Sequence, residues 1–206
     1  SMSNDDAYSV AIIGLGCRFP GSPNIDSFWD NITNGVSAIG EVPSERWDPA
    51  LFYDANPETV DKTYTKIGAF LTEFKFPSKQ FRIPPKVSGQ LDLVQQITLV
   101  SVADALQDAN LQVDARSDGR PFDRSRCAVI LGNSLGGEIS DKYAIRLNWP
   151  EIAQRIQQSE GFNTLSTAQQ DALLSSLEDS YKDGLPHINE DSMPGELANV
   201  IAGRVA

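Results

Sequence analysis

Apolar positions along the chain fall into two kinds of pattern. Tyr8–Ile13 and Cys127–Leu131 are near-continuous apolar runs, ending at Gly14 and Gly132, which predicts strands covered on both faces. Elsewhere the spacing is helical. Asn24 can cap a short helix with Asp26 in its first turn, Phe28, Trp29 and Ile32 on one side, and Asn34-Gly35 at its end. At that spacing the aromatics read as core residues rather than a ligand-stacking pair. Gly89–Ala109 is the strongest helical pattern, with so little polar face that it is expected to be mostly buried, and Asn110 can take the left-handed cap position. Pro150 suits a first helical turn, with Ile152 and Ile156 on one side. Ser166 and Gln169 form a capping box for a helix carrying Leu173, Leu177 and Tyr181, closed by Gly184. The segment Asp191–Ala206 reads as one helix opening on a proline, with Leu197, Val200 and Ile201 along its stripe and no cap after Ala206. Residues 36–90 carry prolines throughout and predict an irregular stretch. Their sign-alternating charges (Glu41, Glu45, Arg46, Asp48, Lys62, Lys66) read as a solvated face.

Composition narrows the class. At 206 residues, 40% hydrophobic and 22% charged, the chain suits a globular protein with one core or part of a larger fold. Seventeen Lys and Arg against 28 Asp and Glu give a net charge of -11, which argues against nucleic acid or an anionic membrane as partner. No apolar run approaches the ~20 residues that a membrane span needs. Cys17 and Cys127 supply neither a disulfide framework nor metal-ligand spacing, so a reducing, cytoplasmic setting is expected. Ser1-Met2 reads as a cleavage remnant, with residues 1–7 a tag and flexible lead and 8–206 the folded domain.

Two short motifs suggest chemistry. Gly14-Leu-Gly16 after a strand invites a dinucleotide reading, but Phe19 stands at the third glycine position and Pro20-Gly21 interrupts the helix start. Gly132-Asn-Ser-Leu-Gly136 matches the serine-hydrolase elbow, with His187 downstream and Asp171, Asp179 and Asp183 between. That chemistry needs Ser134 activated by His187 on top of a multi-stranded parallel sheet, whereas the chain offers two strands. A glycine-rich turn with close backbone packing explains the same residues.

A wider set of stretches carries a resemblance. Val10–Gly21, Phe28-Trp29, Glu41-Val-Pro-Ser-Glu-Arg-Trp-Asp48, Lys62–Leu71, Asp92 with Gln95, Ala105–Ala109, Leu131–Gly137 and Met193–Ala206 follow one another in the order seen in β-ketoacyl synthases. The chain resembles the N-terminal part of the ketosynthase domain of polyketide and polyunsaturated-fatty-acid synthases. Asp92-Leu-Val-Gln-Gln96 departs from the family's Asp-Pro-Gln-Gln-Arg, and Phe81-Arg-Ile-Pro-Pro85 replaces the commoner Phe-Gly-Ile-Ser-Pro. The latter, with Met193-Pro-Gly-Glu196, is closer to the iterative polyunsaturated-fatty-acid and enediyne types.

The resemblance implies an α/β fold, the N-terminal portion of a thiolase-like fold that is layered α/β/α/β/α and dimeric when complete. It implies decarboxylative Claisen condensation of acyl and malonyl groups carried on the phosphopantetheine arm of an acyl carrier protein, inside a multidomain synthase, with no bound cofactor. It places the nucleophilic cysteine past Ala206 and two histidines later still, so these 206 residues are expected to contain no catalytic residue and to condense nothing alone. It places Asn133, Ser134 and Leu135 in a turn at the dimer interface that lines the partner's acyl pocket, and Met193, Pro194 and Asn199 at the helix entrance beside that pocket. Backbone geometry and core packing account for the same six residues equally well. A non-catalytic chain-length-factor-type dimer partner is the alternative within the family. With so few strands, the isolated piece is expected to leave apolar surface open and to self-associate.

Overall fold

The computed structural model describes residues 9–114, 116–134 and 137–206. Two compact units make it up: residues up to Phe76 with Val100–Ser125, and Pro77–Leu99 with Arg126–Ala206.

In the first unit, α1 (Ile25–Thr33) begins as its sequence predicts. Asn24 Oδ1 accepts from the Ser27 N–H at 2.9 Å, and Ser27 Oγ accepts from the Asn24 N–H at 3.3 Å. Gly35, at φ +63, turns the chain after it. The irregular stretch holds the paired strands: β1 (Gly40–Glu41) lies antiparallel to β2 (Ile67–Gly68), with the one-turn helix α2 (Pro49–Phe52) between. Two of the alternating charges pair at the surface, Lys66 with Glu41 at 3.0 Å. Only Phe28 of the α1 aromatic set packs, against Phe19 at 4.6 Å between ring centroids. Trp29 and Ile32 are exposed, so the expected core face of α1 is not buried among the described residues.

Helix α4 (Leu93–Asp108) follows the one-turn α3 (Pro85–Ser88), and the two units divide between its Leu99 and Val100. No residue from Leu93 to Leu106 is exposed, which bears out the reading of an all-round apolar helix, and Asn110 takes the left-handed turn at φ +54. In the first unit the Gly14–Arg18 segment lies directly on α4. A Cβ on Gly14 would come within 2.8 Å of Ala109 Cβ, and one on Gly16 within 2.9 Å of the Ala105 nitrogen. Leu15 N–H donates to Asp108 Oδ2 at 2.9 Å, and Arg18 pairs with Asp104. The Gly-x-Gly pattern therefore serves close backbone–helix packing.

The second unit is helical: α5 (Glu138–Leu147), α6 (Trp149–Gln157), α7 (Glu160–Asn163), α8 (Thr167–Lys182), α9 (Ser192–Glu196) and α10 (Val200–Val205). Pro150 sits in the first turn of α6, the Ser166 N–H donates to Gln169 Oε1 at 3.0 Å, and Gly184 turns at φ +72, all as the sequence predicts. Trp149 stacks on Tyr181 at 5.4 Å, and Tyr181 OH donates to the Ile145 carbonyl at 2.8 Å, fastening α8 to α5 and α6.

Two expectations fail here. Neither residues 9–13 nor Cys127–Leu131 form a strand, Tyr8 lying outside the described residues; both segments are largely exposed, with Val10 at 92% and Ile130 at 90% of full exposure. A strand acquires its backbone hydrogen bonds from a neighbour, and among the described residues no strand pairing or bridge includes either segment. Of the two cysteines, Cys127 is exposed and Cys17 is buried. No helix of the described residues is long and apolar enough to cross a membrane.

Candidate functional site

The second unit is organised around the turn Gln90-Leu-Asp92 and the first turn of α4. Leu91, Asp92 and Gln95 are all buried there. The Asp92 carboxylate faces two helix starts. Its Oδ1 accepts from the Val94 N–H in the first turn of α4, and its Oδ2 from the Ile139 N–H in the first turn of α5, each at 3.0 Å. The opening four N–H groups of a helix lack internal acceptors and carry the positive end of the helix dipole, so one carboxylate caps two helices. Gly137 precedes α5 with no side-chain cap of its own, and a Cβ there would stand 2.7 Å from Asp92 Cγ.

The same turn holds α9. Asp92 N–H donates to the Gly195 carbonyl at 2.9 Å, and a Cβ on Gly195 would come within 2.7 Å of the Gln90 carbonyl carbon. Gln90 Oε1 accepts from Tyr143 OH of α5 and from Ser192 Oγ of α9, the latter at 3.2 Å. Ser140 Oγ of α5 donates to Glu196 Oε1 at 2.7 Å. Gln95 completes the set. Its Nε2 lies 3.1 Å from the Pro194 carbonyl, 2.7 Å from that of Gly195 and 3.3 Å from that of Leu197. Three surrounding carbonyls fix the orientation of that amide.

These bonds correct the closing helix. Asp191–Ala206 is not one helix; it breaks at Leu197, whose backbone is extended at φ -68, ψ 121. In a continuous helix the Pro194 carbonyl would accept from Ala198 N–H and that of Gly195 from Asn199 N–H. Both carbonyls are already engaged, Pro194 by Gln95 and by Arg204 Nη2 at 3.2 Å, Gly195 by Gln95 and the Asp92 N–H. Ile201 is buried while Met193, Pro194, Leu197 and Asn199 are exposed, Met193 at 62%.

Of the six residues singled out by resemblance, Met193, Pro194 and Asn199 thus share the broken segment, and Asn133 and Ser134 lie in the exposed loop before α5. Leu135 lies outside the described residues. Sequence reasoning noted Asp92 and Gln95 as motif residues but gave them no role. The available signal was an aspartate followed three residues later by the paired amides Gln95 and Gln96, at an otherwise apolar helix start.

The hydrolase constellation is not assembled. Among the described residues no hydrogen bond joins Ser134 to His187, and His187 Nδ1 instead faces Arg146 Nη2 at 3.2 Å. Nor does Cys17 suit a nucleophile: burial pushes its thiol up, outweighing the pull of Arg18, and Asp104 adds to the rise.

Comparison with known proteins decides the family. The sequence model for the β-ketoacyl synthase N-terminal domain matches residues 7–206. The chain belongs to the β-ketoacyl synthase family. As part of a ketosynthase it takes the fold class of that family, the N-terminal portion of the thiolase-like fold. It is similar to a polyunsaturated fatty acid synthase of Thraustochytrium sp. (strain ATCC 26185 / S-3), 28% identical over 195 residues, covering 95% of this chain and 6% of that protein. It is also similar to polyketide synthase PksL of Bacillus subtilis (strain 168), 36% identical over 105 residues, covering 50% of this chain and 2% of that protein. A solved structure, the oxazolomycin ketosynthase domain OzmH KS7 of Streptomyces albus JA3453, aligns at 33% identity and TM-score 0.45 over 47% of this chain and 17% of its own. The ketosynthase segment therefore spans a small fraction of the synthases it matches.

Proposed function

We propose that this ketosynthase segment forms part of an acyltransferase domain that carries out decarboxylative Claisen condensation between acyl and malonyl groups borne on the phosphopantetheine arms of an acyl carrier protein, within a multidomain, dimeric synthase. In this reading Asn133, Ser134, Leu135, Met193, Pro194 and Asn199 line or border the acyl pocket, and the nucleophile and its histidines are supplied outside these residues.

The observation that carries the reading is the exposed set on the broken closing segment. Met193, Pro194 and Leu197 present apolar surface beside the polar Asn199, on a backbone fixed from below by Gln95 and Asp92. An acyl chain needs an apolar wall that does not move, since a ligand gains affinity from a site whose ordering is complete before it arrives. The chemistry itself needs a thiolate and donors for the enolate oxygen. Cys17, buried and with a raised pKa, provides no such thiolate.

Two measurements test this. Incubating the 206-residue chain with an acyl thioester and reading intact mass should give no stoichiometric adduct at Cys17 or Cys127; an adduct refutes the assignment of the nucleophile elsewhere. In the complete ketosynthase, Met193→Ala should shift the preference among acyl chain lengths by roughly ten-fold, the scale of a lost apolar contact. An unchanged preference removes Met193 from the pocket.

A further inference from the structure

We infer that Gln95 is a positioning residue for acyl selectivity: its side-chain amide holds open the joint between α9 and α10, and so sets the surface that Met193, Pro194, Leu197 and Asn199 present. The inference rests on the pocket reading above and adds a residue that touches no substrate. Gln95 is 1% exposed, so nothing but the protein competes for its amide.

The hydrogen bonds give the reason. Apolar spacing over Leu197, Val200 and Ile201 favours one continuous helix, and Pro194 at its third residue does not forbid it. A carbonyl oxygen has two lone pairs. At Pro194 both are engaged, by Gln95 Nε2 and Arg204 Nη2, and at Gly195 both are engaged, by Gln95 Nε2 and the Asp92 N–H. Ala198 and Asn199 N–H groups find no acceptor among the described residues, while Ile201 N–H bonds to Ala198 in a tighter turn at 3.2 Å. Without the Gln95 amide, Pro194 regains a lone pair and Ala198 N–H can close the helix across the joint. Leu197 then turns from extended to helical, and the exposed apolar set rotates.

Gln95→Met keeps the length of the side chain and removes the amide. It also removes Gln95 Oε1, a buried acceptor without a partner among the described residues, which offsets part of the loss and favours a folded variant. A second variant separates joint geometry from stability. Proline at 198 has no N–H to give Pro194, and it favours the extended conformation that Leu197 already has. Ala198→Pro should leave the wild-type joint as it is and restore it in Gln95→Met.

In the 206-residue chain, Gln95→Met should slow amide exchange at Ala198 on the order of ten-fold as that group gains an acceptor. Unchanged or faster exchange overturns the inference. In the complete ketosynthase, Gln95→Met should change the ratio of kcat/KM for long against short acyl thioesters on the order of ten-fold, with malonyl decarboxylation within about two-fold of wild type. Gln95→Met with Ala198→Pro should return the ratio to wild type. If Met193→Ala shifts the ratio while Gln95→Met does not, or if proline fails to rescue, Gln95 is structural only and the inference falls. If neither substitution shifts it, the pocket reading itself falls.

Discussion

Replacing Asp92 by alanine removes the acceptor that two helices share. Val94 and Ile139 N–H groups, each 3.0 Å from a carboxylate oxygen, lose their partners inside a buried site. Loss of an N-cap costs about 1 kcal/mol per helix, and an orphaned buried donor about 1–3 kcal/mol. Release of a desolvated charge returns part of this, so a net loss of about 2–4 kcal/mol is expected. The assay is urea unfolding of the 206-residue chain followed by circular dichroism at 222 nm. The midpoint should fall with the slope unchanged.

Gly137 offers a second probe of the same cap. Its backbone at φ -133, ψ 161 is open to any residue, so the bar to a side chain there is the Asp92 carboxyl, 2.7 Å from where Cβ would stand. Gly137→Ala should therefore destabilise the wild-type chain by about 1–3 kcal/mol. In the Asp92→Ala background the obstacle is gone, and the same change should be neutral or stabilising by about 0.5 kcal/mol through the unfolded state. The cycle thus predicts a coupling of at least about 1 kcal/mol. Additive effects, or a loss below about 1 kcal/mol for Asp92→Ala alone, would refute the shared cap.

Other outcomes follow from the same geometry. Gly16→Ala, whose Cβ would meet α4 backbone, should lower the stability of the first unit by about 3 kcal/mol or more, read as a lower urea midpoint; tolerance would mean that Gly14–Arg18 does not lie on α4. Iodoacetamide should label exposed Cys127 on the order of ten-fold faster than Cys17, checked by peptide mass mapping after a timed quench. Glu178 is held below its ordinary value of 4.5, first by its hydrogen bond from Lys182. Being depressed in the folded state, it contributes stability above the unfolded value that is lost as pH falls through the folded one. Carbon-detected NMR should therefore show it titrating below pH 4.5, and Lys182→Gln should move it back up. Ile130→Lys should reduce self-association of the chain in light scattering, because the 90% exposed Ile130 offers its apolar side chain to a neighbour.

The local signals in this sequence were legible because their causes are local. Asn24, Ser166 with Gln169, Pro150, Asn110 and Gly184 act over three or four residues, and each does so in the structure where the pattern puts it. The all-round apolar α4 was equally legible, since burial on every side requires only that something cover it. The closing segment misled because its periodicity is helical and its break is imposed from residue 95, about a hundred positions away. Nothing in Leu197–Ile201 itself records that Gln95 and Asp92 occupy the carbonyls a helix would use. The aromatic face of α1 misled in the opposite way: spacing implied a core, but Trp29 and Ile32 find no cover among the described residues.

The two apolar runs that read as strands belong to a third case. A helix closes its own hydrogen bonds, whereas a strand borrows them, so an apolar run specifies the need for a sheet without containing one. Val10, Ile12, Ile13 and Ile130 are the apolar half of that requirement, and their exposure shows it unmet among the described residues. In the Gly14–Arg18 segment, by contrast, the glycines that follow the first run are already seated on α4, with Arg18 paired to Asp104. The end of that run is anchored, while the run itself is in no strand pairing among the described residues. Pairing of residues 9–13 with another strand therefore needs no rearrangement of the α4 contact, only a neighbour that offers an edge.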